Sequence, residues 1–291
     1  MATDTANIDE GRSDPQPELT PGAKERFYRH LLPTRLWHWA NAVVLCIMLM
    51  SGLMIFNAHP RVYWGNYGAN SDKAWLQIGP TTTGGHVVIG SVIDIPTGGV
   101  LGRWKDKNGI ERTRAFPWWA TIPSGYSLAA GRRWHLSFAW VLAALTVFYL
   151  GAGLLNRHLA RDLLPRRREL TLRHIWHDVK DHARLRFPTG EAATRYNILQ
   201  KLSYGGVVFI LIPGIILTGL TMSPSMDANF PFLPTLFGGR QSARSIHFLC
   251  TVGLVAFTVV HLAMVLLAGP INEVRSMVTG WFRIPRPENE A

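Results

Sequence analysis

Four histidines, His38, His135, His247 and His261, lie in or at the edge of stretches that carry no charged residue. An ionisable side chain placed in hydrocarbon is costly and usually has a task there. His247 and His261 are 14 residues apart. On an α-helix that spacing rises about 21 Å through nearly four full turns, so both imidazoles share one face near opposite ends. His38 opens the first such stretch and His135 opens the second. Matching depths across antiparallel helices pairs His135 with His247 and His38 with His261. Two imidazole pairs stacked along a bundle are the ligand set of two b-type haems, whose irons take axial imidazoles from facing helices. Zinc would need a third and fourth ligand, and no Cys, Asp or Glu lies at the right depth. A proton relay would need carboxylates that the stretches lack. Covalent c-type haem is excluded because no C-x-x-C-H occurs, and Cys46 and Cys250 lack iron–sulfur spacing.

The elements that must position these histidines are the charge-free stretches themselves. They run 36–60, 134–156, 202–226 and 245–272, which is 25, 23, 25 and 28 residues. Each is long enough to cross about 30 Å of hydrocarbon as a helix. With 47% hydrophobic and 17% charged residues in a chain of 291, global disorder is excluded. The sequence predicts an all-α integral membrane protein, a four-transmembrane-helix bundle with helices at about 34–57, 133–156, 198–222 and 243–268. Pro213 lies within the third, where a kink is expected.

The net charge of +11 sits between the apolar stretches, which suits basic cytoplasmic loops on a lipid bilayer and not a nucleic-acid partner. The 157–201 connection holds eleven Lys/Arg, and the 223–244 connection only Arg240 and Arg244. That asymmetry places 157–201 and both termini in the cytoplasm of a bacterial inner membrane. The 61–131 insertion is then periplasmic. Its Gly-rich, aromatic text and the turn signal Lys107-Asn108-Gly109 predict a small cap of one or two β-hairpins. Residues 1–23 and 283–291 read as cytoplasmic tails, the first of them disordered. Residues 170–185 read as an amphipathic surface helix, and no internal repeat is evident. Trp37, Trp39, Trp118, Trp119, Trp134 and Trp281 fall near helix ends, as interfacial anchors do.

Secondary candidates surround the histidines. Gly52 shares a face with His38 at the level of the outer pair, and Gly153 shares one with His135 at the inner level. The missing Cβ of either would make room for a macrocycle, although small residues are also common at membrane helix interfaces. Arg132, Arg133 and Arg244 flank the outer pair, and Arg35 and Lys201 the inner one, as partners for haem propionates or as snorkelling end residues. The other seven histidines, His30 and His158 among them, read as solvated, with His158 a possible substitute ligand.

The histidine pattern resembles the dihaem four-helix cytochrome b superfamily. That superfamily includes prokaryotic cytochrome b561, nickel–iron hydrogenase cytochrome b and formate dehydrogenase gamma subunits. Segments such as Ser51-Gly52-Leu53, Gly131-Arg132-Arg133-Trp134-His135 and Gly238-Gly239-Arg240-Gln241-Ser242-Ala243-Arg244 look closest to the thiosulfate reductase cytochrome b subunits. The resemblance covers roughly residues 24–282. It implies a periplasmic molybdopterin oxidoreductase as partner and membrane quinone as exchangeable redox partner. It also implies a quinone site at the opening of the third helix, with Asn197 as hydrogen-bonding residue and Gln200 and Lys201 nearby; an ordinary helix cap is the alternative for Asn197. The expected function is electron transfer between partner and quinone, with substrate chemistry in the partner. A stand-alone b561-type oxidoreductase and a haem-free proton transporter are the rivals.

Overall fold

The computed structural model describes residues 26–82, 84–90, 92–165, 169–184, 186 and 196–284. The 1–23 tail and most of the 283–291 tail lie outside these residues, as do Arg166, Arg167, Arg168 and Arg195 of the basic connection.

Four helices are long and apolar enough to cross a membrane: α1 (Leu32–Phe56), α2 (Leu128–Leu155), α4 (Ile198–Met222) and α7 (Arg240–Leu267). At 25 or 28 residues each, they exceed the 20 or so that hydrocarbon requires. The amphipathic α3 (Leu172–Ala183) lies in the basic connection, as expected. Two short helices, α5 (Pro224–Asn229) and α6 (Phe232–Leu236), link α4 to α7, and α8 (Pro270–Thr279) follows it. α1 packs along α2 and α4 along α7, giving two antiparallel hairpins. Their shared core is Val44, Met48, Leu142, Val207, Ile212, Ile215, Cys250 and Leu254. Outward positions such as Val43, Val147, Val259 and Leu266 are apolar and exposed, which is the composition a lipid-facing surface requires.

Two helix details differ from the sequence expectation for physical reasons. α2 begins at Leu128, ahead of Arg132 and Arg133, because Ser127 caps it by accepting the Ala130 N–H. In α4, Pro213 cannot donate to the carbonyl four residues back, and the chain widens into a π-turn over Val207–Leu211 just before it.

The cap is larger than one or two hairpins. Strands β2 (Arg61–Val62), β3 (Leu76–Pro80), β4 (Gly85–Ile89) and β5 (Ile93–Pro96) form an antiparallel meander. β6 (Trp104–Lys105) pairs with β7 (Glu111–Arg112) around the Lys107-Asn108-Gly109 turn, where Asp106 accepts the Asn108 and Ile110 N–H groups. The cap is fastened to both hairpins. Asn57, at the end of α1, exchanges two hydrogen bonds with the Phe116 backbone. Ser242 and Ser245 of α7 bond Gly65 and Trp75, and Arg244 donates to the His59 carbonyl. Gly239, at φ +114°, lets α7 start against this loop, since a Cβ there would meet the Gly65 carbonyl at 2.4 Å. At the opposite end β1 (Arg26–Tyr28) pairs with β8 (Trp281–Arg283), tying the start of α1 to the segment after α8.

Trp39, Trp118, Trp119, Trp134 and Trp281 are exposed, as interfacial anchors should be. Trp37 is not: it points inward and stacks on Tyr149 with ring centres 4.1 Å apart. Its depth fitted an anchor, but its angle around α1 turns it to the core.

One crossing, α2, separates the cap from α3. Reporter fusions at Gly98 and at Arg173 should therefore report opposite compartments; the same compartment for both would overturn this topology.

Candidate functional site

The four membrane histidines meet in two pairs. His135 of α2 and His247 of α7 have ring centres 6.2 Å apart, on the cap side. His38 of α1 and His261 of α7 have ring centres 6.3 Å apart, on the side of the chain termini. Each pair joins one hairpin to the other. The shared apolar core lies between them.

Hydrogen bonds fix the cap-side rings. His135 Nδ1 lies 3.1 Å from the Met48 carbonyl oxygen, which can only accept, so Nδ1 carries the proton. Ser51 Oγ lies 3.1 Å from the same nitrogen and gives its own proton to the Ile47 carbonyl at 2.7 Å. His247 repeats this arrangement. Its Nδ1 is 3.1 Å from Thr218 Oγ1, whose proton goes to the Gly214 carbonyl at 2.6 Å. Both rings thus keep the Nε2 lone pair free. Gly52 and Gly219 lie against the rings: a Cβ at Gly52 would crowd His135 Cε1 at 3.3 Å, while one at Gly219 would meet His247 Cε1 in ordinary contact at 3.5 Å.

The terminus-side pair has aromatic walls instead. His261 stacks on Phe257, with ring centres 5.5 Å apart and planes 9° apart, and meets Tyr204 edge-on at 6.3 Å. His38 Nδ1 is buried without a hydrogen-bond partner among the described residues, and so is Arg35 Nε one turn away.

These residues fit a haem iron. Two metal–nitrogen bonds of about 2.0 Å and about 1.2 Å from nitrogen to ring centre set coordinated imidazoles about 6.4 Å apart. Both observed separations agree. A metal cage built on three or more ligands is a poor match, because the described residues contain no group of three His, Cys, Asp or Glu that could hold an ion.

The secondary candidates fare unevenly. Gly52 lies at the cap-side pair, as expected of it. Gly153 does not face the inner pair: a Cβ there would strike Leu159 Cγ at 2.7 Å, so its smallness accommodates that side chain. Arg132 and Arg133 are exposed at the start of α2, without ion-pair partners among the described residues. Arg244 is engaged with the cap backbone. Lys201 is buried, and its ammonium contacts both Glu169 carboxylate oxygens at 2.8 Å. Asn197 and Gln200 form a reciprocal capping box at the start of α4, Asn197 accepting the Gln200 N–H and Gln200 accepting the Asn197 N–H. The Asn197 amide nitrogen also reaches His182 Nε2 at 3.3 Å.

Two histidines expected in solvent are buried beside this helix start. His30 Nδ1 lies 3.4 Å from the Tyr196 hydroxyl. His158 pairs with Asp162 at 2.7 Å and sits against Tyr149. Both lie in connecting segments that fold back under the bundle, which local sequence does not reveal. Burial, reinforced by Arg29 and neighbouring histidines, lowers the His30 pKa to about 3. Burial also raises the Tyr196 hydroxyl above its ordinary range. The site thus has a cap side whose hydroxyls are committed to helix carbonyls and a terminus side with several titratable groups. Ser51, Thr218 and Gly219 were not singled out from sequence. The shared text Ser51-Gly52-Leu53 and Thr218-Gly219-Leu220 was the available signal.

The sequence profile of prokaryotic cytochrome b561 matches residues 29–280. Among curated proteins, the chain is 27% identical over 245 residues to a putative protein-methionine-sulfoxide reductase subunit, YedZ1, of Azospira oryzae. That alignment covers 84% of this chain and 93% of the relative. It is 24% identical over 275 residues to a probable Ni/Fe-hydrogenase B-type cytochrome subunit of Azotobacter vinelandii, covering 90% and 91% of the two chains. No solved structure matches.

Because His30 is neutral when folded and takes up a proton near pH 6.5 when unfolded, its contribution to stability is intact above that pH. It is lost as pH falls from about 6.5 toward about 3. Thermal unfolding in detergent should show less acid destabilisation in that window for His30→Gln than for the unaltered chain. Equal pH dependence of the two would contradict a buried neutral His30.

Proposed function

The chain belongs to the prokaryotic cytochrome b561 family, membrane b-type cytochromes that carry electrons, and we propose that it holds two haems and links a periplasmic oxidoreductase to the quinone pool. The observation that carries this reading is the pair of imidazole couples at 6.2 and 6.3 Å. In it, His135 and His247 bind one haem and His38 and His261 the other. Bound haem supplies a one-electron ferric/ferrous couple held inside the membrane. The chain's own residues orient the imidazoles, exclude water from the cap-side pair, and bring exchangeable protons to the other. Arg35, with its buried unpartnered Nε, is the propionate partner on the terminus side, and the exposed Arg132 and Arg133 serve the cap side.

The relatives are named as subunits of a sulfoxide reductase and of a hydrogenase, which supports an oxidoreductase partner. The molybdopterin class rests on the resemblance to thiosulfate reductase cytochrome b subunits. The charge of the basic connection supports α3 and both termini lying in the cytoplasm of a bacterial inner membrane, with the cap in the periplasm where the partner docks. Substrate chemistry belongs to that partner.

Quinone exchange is assigned to the terminus side. A quinone taking two electrons also takes two protons, so its site needs hydrogen-bond partners and a route to water. The start of α4 offers Asn197, Gln200 and the Lys201–Glu169 pair, with Tyr196 and His30 beside them.

Purified protein should contain two haems per chain and show b-type bands in a reduced-minus-oxidised spectrum. His135→Ala and His247→Ala should each remove one haem, and His38→Ala and His261→Ala the other. Two haems retained in any of these variants would remove that histidine from the ligand set.

Asn197→Ala should keep both haems, lower stability by about 1 kcal/mol through loss of the cap, and slow reoxidation of the reduced haems by a quinone analogue. Asn197→Asp separates the two effects, because it caps the helix but lacks the amide donor. Slow reoxidation in both variants supports the quinone contact, whereas a normal rate in Asn197→Asp leaves Asn197 as a cap.

A further inference from the structure

The two hairpins build the cap-side pair from the same parts. In each, the first helix supplies a hydroxyl residue followed by glycine and leucine, Ser51-Gly52-Leu53 on α1 and Thr218-Gly219-Leu220 on α4. The second helix supplies the histidine. The hydroxyl oxygen lies 3.1 Å from the imidazole Nδ1 in both halves, sharing the His135 N–H with the Met48 carbonyl, and the glycine lies under Cε1 in both. Ser51 and Thr218 are fully buried, at 0% exposure. Each gives its proton to its own helix, at the Ile47 or Gly214 carbonyl, so a lone pair is left aimed at the ring. The terminus-side pair lacks this arrangement: His38 Nδ1 has no hydrogen-bond partner and His261 is stacked on Phe257.

We infer that Ser51 and Thr218 are positioning residues that lock the cap-side imidazoles and hold the haem bound there at a lower potential than the other. The inference rests on the haem assignment proposed above. A hydrogen bond accepted from Nδ1–H makes Nε2 a stronger electron donor, which favours ferric over ferrous iron. With such bonds at the cap-side pair and none at the other among the described residues, a haem bound on the cap side would have the lower potential, and electrons would run downhill from the cap side to the terminus side. Each haem, when bound, would supply a one-electron ferric/ferrous couple. Two electrons from a reduced centre of the partner oxidoreductase and two protons would balance the reduction of one quinone to its quinol.

The test is spectroelectrochemistry of the purified full-length protein with haems bound, the two haems being told apart through the single-haem histidine variants. In Thr218→Val, the cap-side haem should shift to higher potential by a roughly threefold to tenfold change in ferric preference, tenfold being about 59 mV for one electron; in Ser51→Ala the shift should have the same sign but be smaller, because the Met48 carbonyl still accepts the His135 N–H. The other haem should not move. Thr218→Ser keeps the hydroxyl and should return the potential toward that of the unaltered protein. Loss of the cap-side haem in Thr218→Val but not in Thr218→Ser would also support the hydrogen bond. Two bound haems with unmoved potentials would overturn the inference, and so would loss of haem in Thr218→Ser. A preparation with no haem at all would instead fail the proposed function.

Discussion

An imidazole in hydrocarbon has two nitrogens to satisfy and no water to satisfy them. The cap-side site meets half of that demand with protein groups and leaves the other half open. Nδ1 of each ring is committed to a buried hydroxyl, and in His135 also to the Met48 carbonyl. The two remaining Nε2 lone pairs belong to rings whose centres are 6.2 Å apart. Paired acceptors with no donor between them are unfavourable in an apolar interior. They become favourable once a cation takes both lone pairs, and a haem iron has the matching span.

That requirement explains why the bundle is clamped at both ends. Each imidazole pair bridges the α1–α2 hairpin and the α4–α7 hairpin, so a slip of either hairpin by a fraction of a turn would spoil both sites. On the cap side, Asn57 holds the end of α1, while Ser242, Arg244 and Ser245 hold the start of α7 to the same insertion. At the other end the β1–β8 pairing joins the chain before α1 to the chain after α8. Arg29 reinforces it, facing Glu273 at 3.5 Å and lying over the Phe282 ring. The insertion therefore works as a register pin for the helices, whatever else it contacts.

Depth along each helix was legible in the sequence, and so was the meeting of the four imidazoles in two pairs. The limits of the charge-free stretches fix depth, and the 14-residue spacing of His247 and His261 fixes their shared face. What surrounds a side chain at a given depth was not legible. Trp37 lay at an anchor's depth but turned inward. Gly153 lay at the level assigned to it but faced Leu159. Ser51 and Thr218 were invisible because hydroxyls in apolar helices ordinarily bond only their own backbone, and both do so here as well. His30 and His158 were misread because connecting segments are solvated by default, and these two fold under the bundle. The capping box of Asn197 and Gln200 is a local signature, so the helix start at Asn197 was legible in the sequence.

The two ends differ in the chemistry they permit. Around His135 and His247 the neighbours are hydroxyls already bonded to helix carbonyls, together with glycine and apolar side chains; none of them changes charge near neutral pH. Electrons can pass there without protons following. At the His38 and His261 end, Tyr204 meets His261, Tyr196 meets Tyr204 and His30 meets Tyr196, and the same end of the bundle carries the His158–Asp162 and Lys201–Glu169 pairs. Groups of that kind can relay or compensate a proton when an electron arrives. Among the described residues, the groups that a reaction coupling the two would need, such as the proposed quinone reduction, lie on the terminus side. On the proposed reading, the bundle would separate a purely electronic site from a proton-coupled one, with the apolar layer of Val44, Leu142, Ile212 and Leu254 between them.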